Sequence, residues 1–227
     1  MEKTFPEQMK QAAEEYFWIL SKGYPQSPAL KLVGDKFMLS RDLRQILYRG
    51  IAPSAQAESR RKKIAEVKEG DLVLIDTYNV LFTVNNYLLG KPLFISNDGL
   101  LRDAGEMRGR IVNKPQFSRS VSLMLEVLQL WPDATYIHYL DEPVSHSGRL
   151  SIELCKDMAE MGIEGDAFPV KSPDRMLLEE RSDAICTSDG AIIDRYQGRV
   201  IDLPRFLLQR FFEPEFPELI SLRLPPE

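Results

Sequence analysis

Asp71-Leu72-Val73-Leu74-Ile75-Asp76-Thr77-Tyr78-Asn79-Val80-Leu81 is the stretch on which the fold turns. The apolar run from Leu72 to Ile75 is too short for a core helix, is β-branched at Val73 and Ile75, follows a Gly70-Asp71 break and ends on a carboxylate. A buried strand is predicted there, apolar almost throughout because both faces of a parallel sheet are covered. Ligands of open α/β sheets sit beyond the carboxyl ends of the strands. Asp76 is therefore expected where chemistry is done.

Downstream, Asn79 to Leu89 reads as a helix, and Asn79, three residues past Asp76, is expected to face the same edge. Pro92 to Ile95 reads as a short strand and Asn97-Asp98-Gly99 as a turn. Residues 100–114, with Arg102, Asp103, Glu106, Arg108 and Arg110, read as a long polar loop. After a helix from about Val121 to Trp131, strands at 135–140, 166–170, 183–187 and 199–201 alternate with helices at 149–161, 173–180, 189–196 and 204–212. Such alternation predicts a parallel sheet with right-handed crossovers. The tail from Glu213, with four prolines in fifteen residues, is expected to be an irregular wrap.

Upstream the periodicity is helical. Met9, Ala12, Ala13, Tyr16, Phe17 and Leu20 recur every three or four residues until Gly23-Tyr24-Pro25 interrupts them. Ser27 before Pro28 and Ser40 before Leu43, Ile46 and Leu47 read as helix caps. The expected organisation is a helical domain over residues 1–65 and an α/β domain over 66–227. Residues 1–70 hold 13 Lys+Arg against 9 Asp+Glu, and the remainder 16 against 25. The concentrated positive charge is Arg41, Arg44, Arg49, Arg60, Arg61, Lys62 and Lys63. Contact with nucleic-acid phosphates is its functional reading; solvated helix faces are the plain one.

No run approaches the length of a membrane span, and Met1 to Glu7 lacks the apolar core of a signal peptide, so a cytoplasmic protein without membrane contact is expected. Cys155 and Cys186 read as reduced, buried thiols, and two histidines, His138 and His146, leave no room for a histidine-rich metal site. No Gly-x-Gly-x-x-Gly follows the first strand, which ranks a Rossmann-like nucleotide binder last.

The strand ends then carry Asp76, Asp141 with Glu142, and Thr187-Ser188-Asp189, while Asp174 opens the helix before the last of these. In a parallel sheet such ends face one way, so carboxylates distant in sequence converge. Convergent carboxylates repel and raise one another's pKa unless a cation neutralises them. An all-oxygen, highly charged donor set suits Mg²⁺ or Mn²⁺, which activates water and stabilises charge on a phosphoryl oxygen. The inferred chemistry is phosphodiester hydrolysis. Asp189 and Asp174 each have the alternative of capping a helix; Asp76 has no cap role as obvious. Asp98, Asp103 and Glu106 read as solvated loop charges. The hydroxyl-rich segment from Asp141 to Arg149, including Ser145, reads either as a phosphate cradle at a helix start or as a polar turn.

Ile75-Asp76-Thr77-Tyr78-Asn79, with Ser172-Pro173-Asp174 and Thr187-Ser188-Asp189 far downstream, resembles the PIN-like and NYN ribonuclease superfamily over about residues 70–205. The resemblance implies a three-layer α/β/α domain with a central parallel sheet, Asp76, Asp174 and Asp189 as ligands of a divalent cation, and Asn79 and Ser188 in support. The superfamily's mid-chain glutamate has no clear counterpart, with Asp141, Asp103 and Glu106 as candidates. Over nearly its whole length the chain also resembles a prokaryotic two-part family of unknown function. The motifs there are Lys22-Gly23-Tyr24-Pro25, Ala29-Leu30-Lys31-Leu32-Val33-Gly34-Asp35 and Leu47-Tyr48-Arg49-Gly50, together with the aspartate motifs. The expected function is a metal-dependent nuclease acting on RNA, with self-association into a homodimer left open. The competing class is a non-catalytic nucleic-acid-binding or adaptor protein on the same fold.

Overall fold

The computed structural model describes residues 5–104, 115–144 and 146–220. In chain order its elements are α1 (Glu7–Ser21), α2 (Gln26–Lys36), α3 (Arg41–Gly50), α4 (Ser54–Lys63), β1 (Leu72–Asp76), α5 (Thr77–Leu88), β2 (Leu93–Ile95), β3 (Leu101–Asp103) and α6 (Pro115–Leu128). There follow β4 (Thr135–Asp141), α7 (Ser147–Met161), β5 (Gly165–Val170), α8 (Pro173–Glu179), β6 (Ala184–Cys186), α9 (Gly190–Arg195), β7 (Arg199–Val200) and α10 (Leu203–Phe212). The described residues form two compact units, one of 5–62, 90–104 and 214–220, the other of 63–89, 115–144 and 146–213.

The first unit is helical. Met9, Ala12, Ala13, Tyr16 and Leu20 of α1 share a core with Ala29 and Val33 of α2 and with Ile46 and Leu47 of α3. The Ser40 cap forms as predicted, its hydroxyl accepting from the Leu43 amide at 3.3 Å. The second cap differs: α2 begins at Gln26, with Pro25 rather than Ser27 in the cap position. A larger difference concerns residues 90–104, read from sequence as part of the α/β domain. β2 and β3 pair antiparallel, Leu93 opposite Asp103, and fully buried Phe94 joins the helical core. The tail does the same through Leu219, while Ile95 donates its amide to the Pro217 carbonyl at 2.9 Å. Burying Phe94 and Leu219 supplies apolar area that three short amphipathic helices lack by themselves.

The second unit is built on a five-stranded sheet ordered β5-β4-β1-β6-β7, with every pairing parallel. β1 lies at its centre, Ile75 opposite His138 on one side and Cys186 on the other, which explains its uninterrupted apolar run. From β1 the chain steps outward through α5 and α6 to β4 and through α7 to β5. It then returns through α8, packed on β1 and β4, to β6 and β7. The direction of winding reverses between β1 and β6, and the carboxyl edge at such a reversal is where open α/β sheets form a ligand-binding crevice. The sheet's edges are protected: β5 carries Pro169, and Ala65 donates to the Val200 carbonyl at 3.0 Å alongside β7.

Candidate functional site

Asp76 ends β1 at this crevice and Thr187-Ser188-Asp189 follows β6 on the other side of it. The Thr187 hydroxyl donates to Asp76 Oδ2 at 3.0 Å, and the Asn79 amide reaches Asp76 Oδ1 at 3.4 Å. Asp76 is thus the N-cap of α5, a role the sequence reading did not give it. Asn79 Oδ1 accepts from both the amide and the hydroxyl of Ser188, at 2.9 and 3.0 Å. Asp189 caps α9, Oδ1 accepting from the Ala191 amide at 2.7 Å and the Ile192 amide at 3.4 Å. In α8 the cap is Ser172, accepting from the Arg175 amide at 3.3 Å, so the Asp174 carboxylate is not the one that holds the helix start.

Burial grades across the four aspartates. Asp76 is 8% exposed, Asp141 is intermediate, and Asp174 and Asp189 are open to solvent. Burial above all, with the charges of Asp141 and Asp174, pushes Asp76 up to about 7 against the opposing hydrogen bonds from Thr187 and Asn79. Asp141 is raised by burial and by Asp174; Asp174 is raised by burial and by Asp189. The charges of Asp141, Asp174 and Asp189 are thus each felt by at least one other carboxylate of the set. Among the described residues no Lys or Arg forms a salt bridge with any of them. An uncompensated, oxygen-only set of this kind chemically suits a hard divalent cation. As they stand, among the described residues, no three His, Cys, Asp or Glu side chains gather into a group able to hold a metal ion.

Two buried groups of this unit escaped the sequence reading. The Tyr78 hydroxyl has no hydrogen-bond partner among the described residues, and burial together with Asp141 pushes it up to about 12. His138 is fully buried on β4, its Nδ1 3.2 Å from the Thr77 hydroxyl and its Nε2 without a partner, and burial lowers it to about 4. Alternation of Tyr136, His138 and Leu140 along β4 was the signal that could have placed it inside.

Much of the basic segment is engaged within the protein. Arg60 is buried and bonds Asp98 at 3.0 Å, and Arg102 bonds the same carboxylate at 2.7 Å. Arg49 pairs with Asp103 at 2.7 Å and Arg44 with Asp35 at 2.9 Å. Lys63 donates to the Ile193 and Tyr196 carbonyls at 2.7 and 2.5 Å, satisfying the C-terminal end of α9. Lys62 pairs with Glu58 at the surface, Arg61 reaches the Ala57 carbonyl, and Arg41 is exposed. Asp98 and Asp103 are accordingly buried ion-pair partners, not solvated loop charges. Ser145, Glu106, Arg108 and Arg110 lie outside the described residues.

The family model described as a domain of unknown function (DUF5616) matches residues 65–206. The chain belongs to that family. The DUF5616 match covers all four aspartates together with Asn79 and Ser188. A second model, described as a protein of unknown function (DUF434), matches residues 8–63, so that α1 to α4 belong to its part of the chain. The uncharacterized protein MJ0935 of Methanocaldococcus jannaschii is 28% identical over 198 residues, 86% of this chain and 94% of that protein. The two-part family expected from the sequence is thus supported. No solved structure matches the chain. Among the described residues no helix is long and apolar enough to cross a membrane.

Proposed function

We propose that the α/β unit is a PIN-like nuclease domain that hydrolyses phosphodiester bonds of RNA with the help of Mg²⁺ or Mn²⁺. The observation that carries this reading is the mutual electrostatic influence of Asp76, Asp141, Asp174 and Asp189 beyond the carboxyl ends of the parallel strands, with no Lys or Arg of the described residues in a salt bridge with them. The placement of the motifs agrees with it: an aspartate and a nearby asparagine at the first strand, and a threonine-x-aspartate after the fourth parallel strand. Asp76, Asp174 and Asp189 would hold the ion, with Asp141 beside them. When bound, the ion supplies Lewis acidity to water and to a phosphoryl oxygen.

The chain's own residues do the rest. Thr187 fixes the rotamer of Asp76, and Asn79 ties the turn after β6 to the start of α5, so that the carboxylates are held from two adjacent strands. Asp141, half-buried and raised by burial and by Asp174, is suited to take a proton from attacking water. In the helical unit, Arg41, Arg61 and Lys62 remain at least partly exposed and would contact RNA phosphates.

The test is cleavage of single-stranded and structured RNA with Mn²⁺ or Mg²⁺ by the wild type, Asp76→Asn and Asp189→Asn, with folding followed by circular dichroism. Loss of about a hundredfold or more in either folded variant is expected; normal turnover by Asp189→Asn would sink the assignment. The adaptor reading is favoured by one observation, the absence of a three-residue group already able to hold an ion among the described residues. Calorimetric titration with Mn²⁺ decides between them, since an adaptor gives no saturable heat.

A further inference from the structure

A groove of about 310 Å³ lies between α6 and α7, within the α/β unit. Its volume is at the lower end of the range for sites that take a small organic ligand. Buried Phe117 and Leu150 form an apolar floor, and His146, Arg149, Glu153 and Asp157 line it along α7. Arg149, Glu153 and Asp157 recur every four residues on one helix face, which spreads them over about 12 Å. The charges are ordered along that line. Arg149 stands in the first turn of a 15-residue helix, where the N-terminal amides add positive potential. Its Nε is bonded to Glu153 Oε1 at 2.7 Å, and the guanidinium carries two further donor nitrogens. Glu153 and Asp157, one and two turns on, offer only acceptors when ionised.

The groove's floor is packed through aromatic rings onto the first turn of α5, next to Asp76. Phe117 packs on Phe82 at 6.2 Å between ring centroids, Phe82 stacks on Tyr78 at 5.3 Å, and Tyr78 feels the charge of Asp141. A ligand matched to this groove has an anion at one end, a flat body of apolar faces in the middle and amino donors at the other end. A nucleotide whose base carries an exocyclic amine and no competing charge has that form, because Asp and Glu accept from the cytosine amino group.

We propose that this groove binds one nucleotide unit, its phosphate against Arg149 and the first turn of α7 and its amino-bearing base against Glu153 and Asp157. The inference rests on the nuclease reading for the class of polymer and names a substrate subsite of it. Cytidine 5′-monophosphate and uridine 5′-monophosphate differ at the position that would meet the carboxylates, and they are the probes. Titration of the wild type with each, without divalent ions and followed by backbone amide shifts, is expected to move the resonances of α7 and the α6 start saturably. Cytidine monophosphate should bind about tenfold more tightly, the weight of one good donor–acceptor pair.

Arg149→Gln should weaken both nucleotides, while Glu153→Gln with Asp157→Asn should erase the preference and keep phosphate-dependent binding. Absence of saturable shifts in the groove, equal affinity for the two nucleotides, or unchanged binding by Arg149→Gln overturns the proposal. Neither turnover nor metal enters the measurement. Groove binding by an inactive protein would leave this inference standing and remove the nuclease reading; metal-dependent cleavage with a silent groove would do the reverse.

Discussion

One side-chain oxygen, Asn79 Oδ1, accepts two hydrogen bonds from one residue, Ser188, through its amide at 2.9 Å and its hydroxyl at 3.0 Å. The two residues are 109 positions apart in sequence, and this pair joins the start of α5 to the turn after β6. It acts as a clamp between the segment that follows Asp76 and the turn that carries Asp189.

Asn79→Ala removes the acceptor of both bonds from buried Ser188, at a cost of about 1–3 kcal/mol. Chemical denaturation should show that loss of stability with an unchanged dependence on denaturant concentration. Ser188→Ala removes the hydroxyl and keeps the amide bond, and is expected to cost less. If the two variants were equally stable to within a few tenths of a kcal/mol, the clamp would not hold the turn.

Arg60 and Lys62 sit two residues apart in the basic segment and should behave in opposite ways. Arg60 shares the buried Asp98 carboxylate with Arg102, and those guanidinium charges, with the Ser96 hydroxyl, hold Asp98 low despite its burial. Arg60→Met breaks part of that network, at a cost on the order of 3 kcal/mol. Lys62, 73% exposed and paired with Glu58 across one helical turn, should change stability by less than about 0.5 kcal/mol when replaced by Ala. If RNA is bound, Lys62→Ala should weaken it and flatten its salt dependence without altering the unfolding midpoint.

Asp76 and His138 make opposite contributions to the pH dependence of stability. Asp76 is raised to about 7 from 3.8, so the folded state binds its proton more tightly than the unfolded one, and stability falls as pH rises from about 4 to 7. Asp76→Asn should therefore raise the thermal midpoint at pH 7.5 and change it little at pH 4. His138 is lowered to about 4 from 6.5, so the unfolded state takes its proton first, and stability falls as pH drops from 6.5 towards 4. His138→Leu should flatten that acid limb. Thermal unfolding of the three proteins across this range checks both signs.

Much of the parallel sheet could be read from local pattern, because period and chain punctuation are local properties. Leu72 to Ile75 had to be a central strand, since a continuous apolar run ending in Asp can be buried on both faces only there. The regular alternation from Thr135 onward likewise implied crossovers and a shared carboxyl edge, the edge at which Asp76 and Thr187 meet. The Ser40 cap was legible because its bond closes within three residues.

Tertiary structure alone decided the partners of the charges and the allegiance of short segments. Nothing near Arg60 in the sequence announces Asp98, 38 residues away, yet that contact turns a candidate phosphate ligand into part of a buried network. Phe94 read as a short strand of the α/β domain and Leu219 as irregular tail, and they joined the helical core because the helices left apolar area that only distant segments could cover. Asp76 was legible as a strand end, but its cap of α5 and its bond to Thr187 depend on where β6 lies. Secondary structure follows from the order of neighbouring residues, whereas the fate of a charge follows from what the folded chain brings within a few ångströms of it, and desolvation makes that contact decisive.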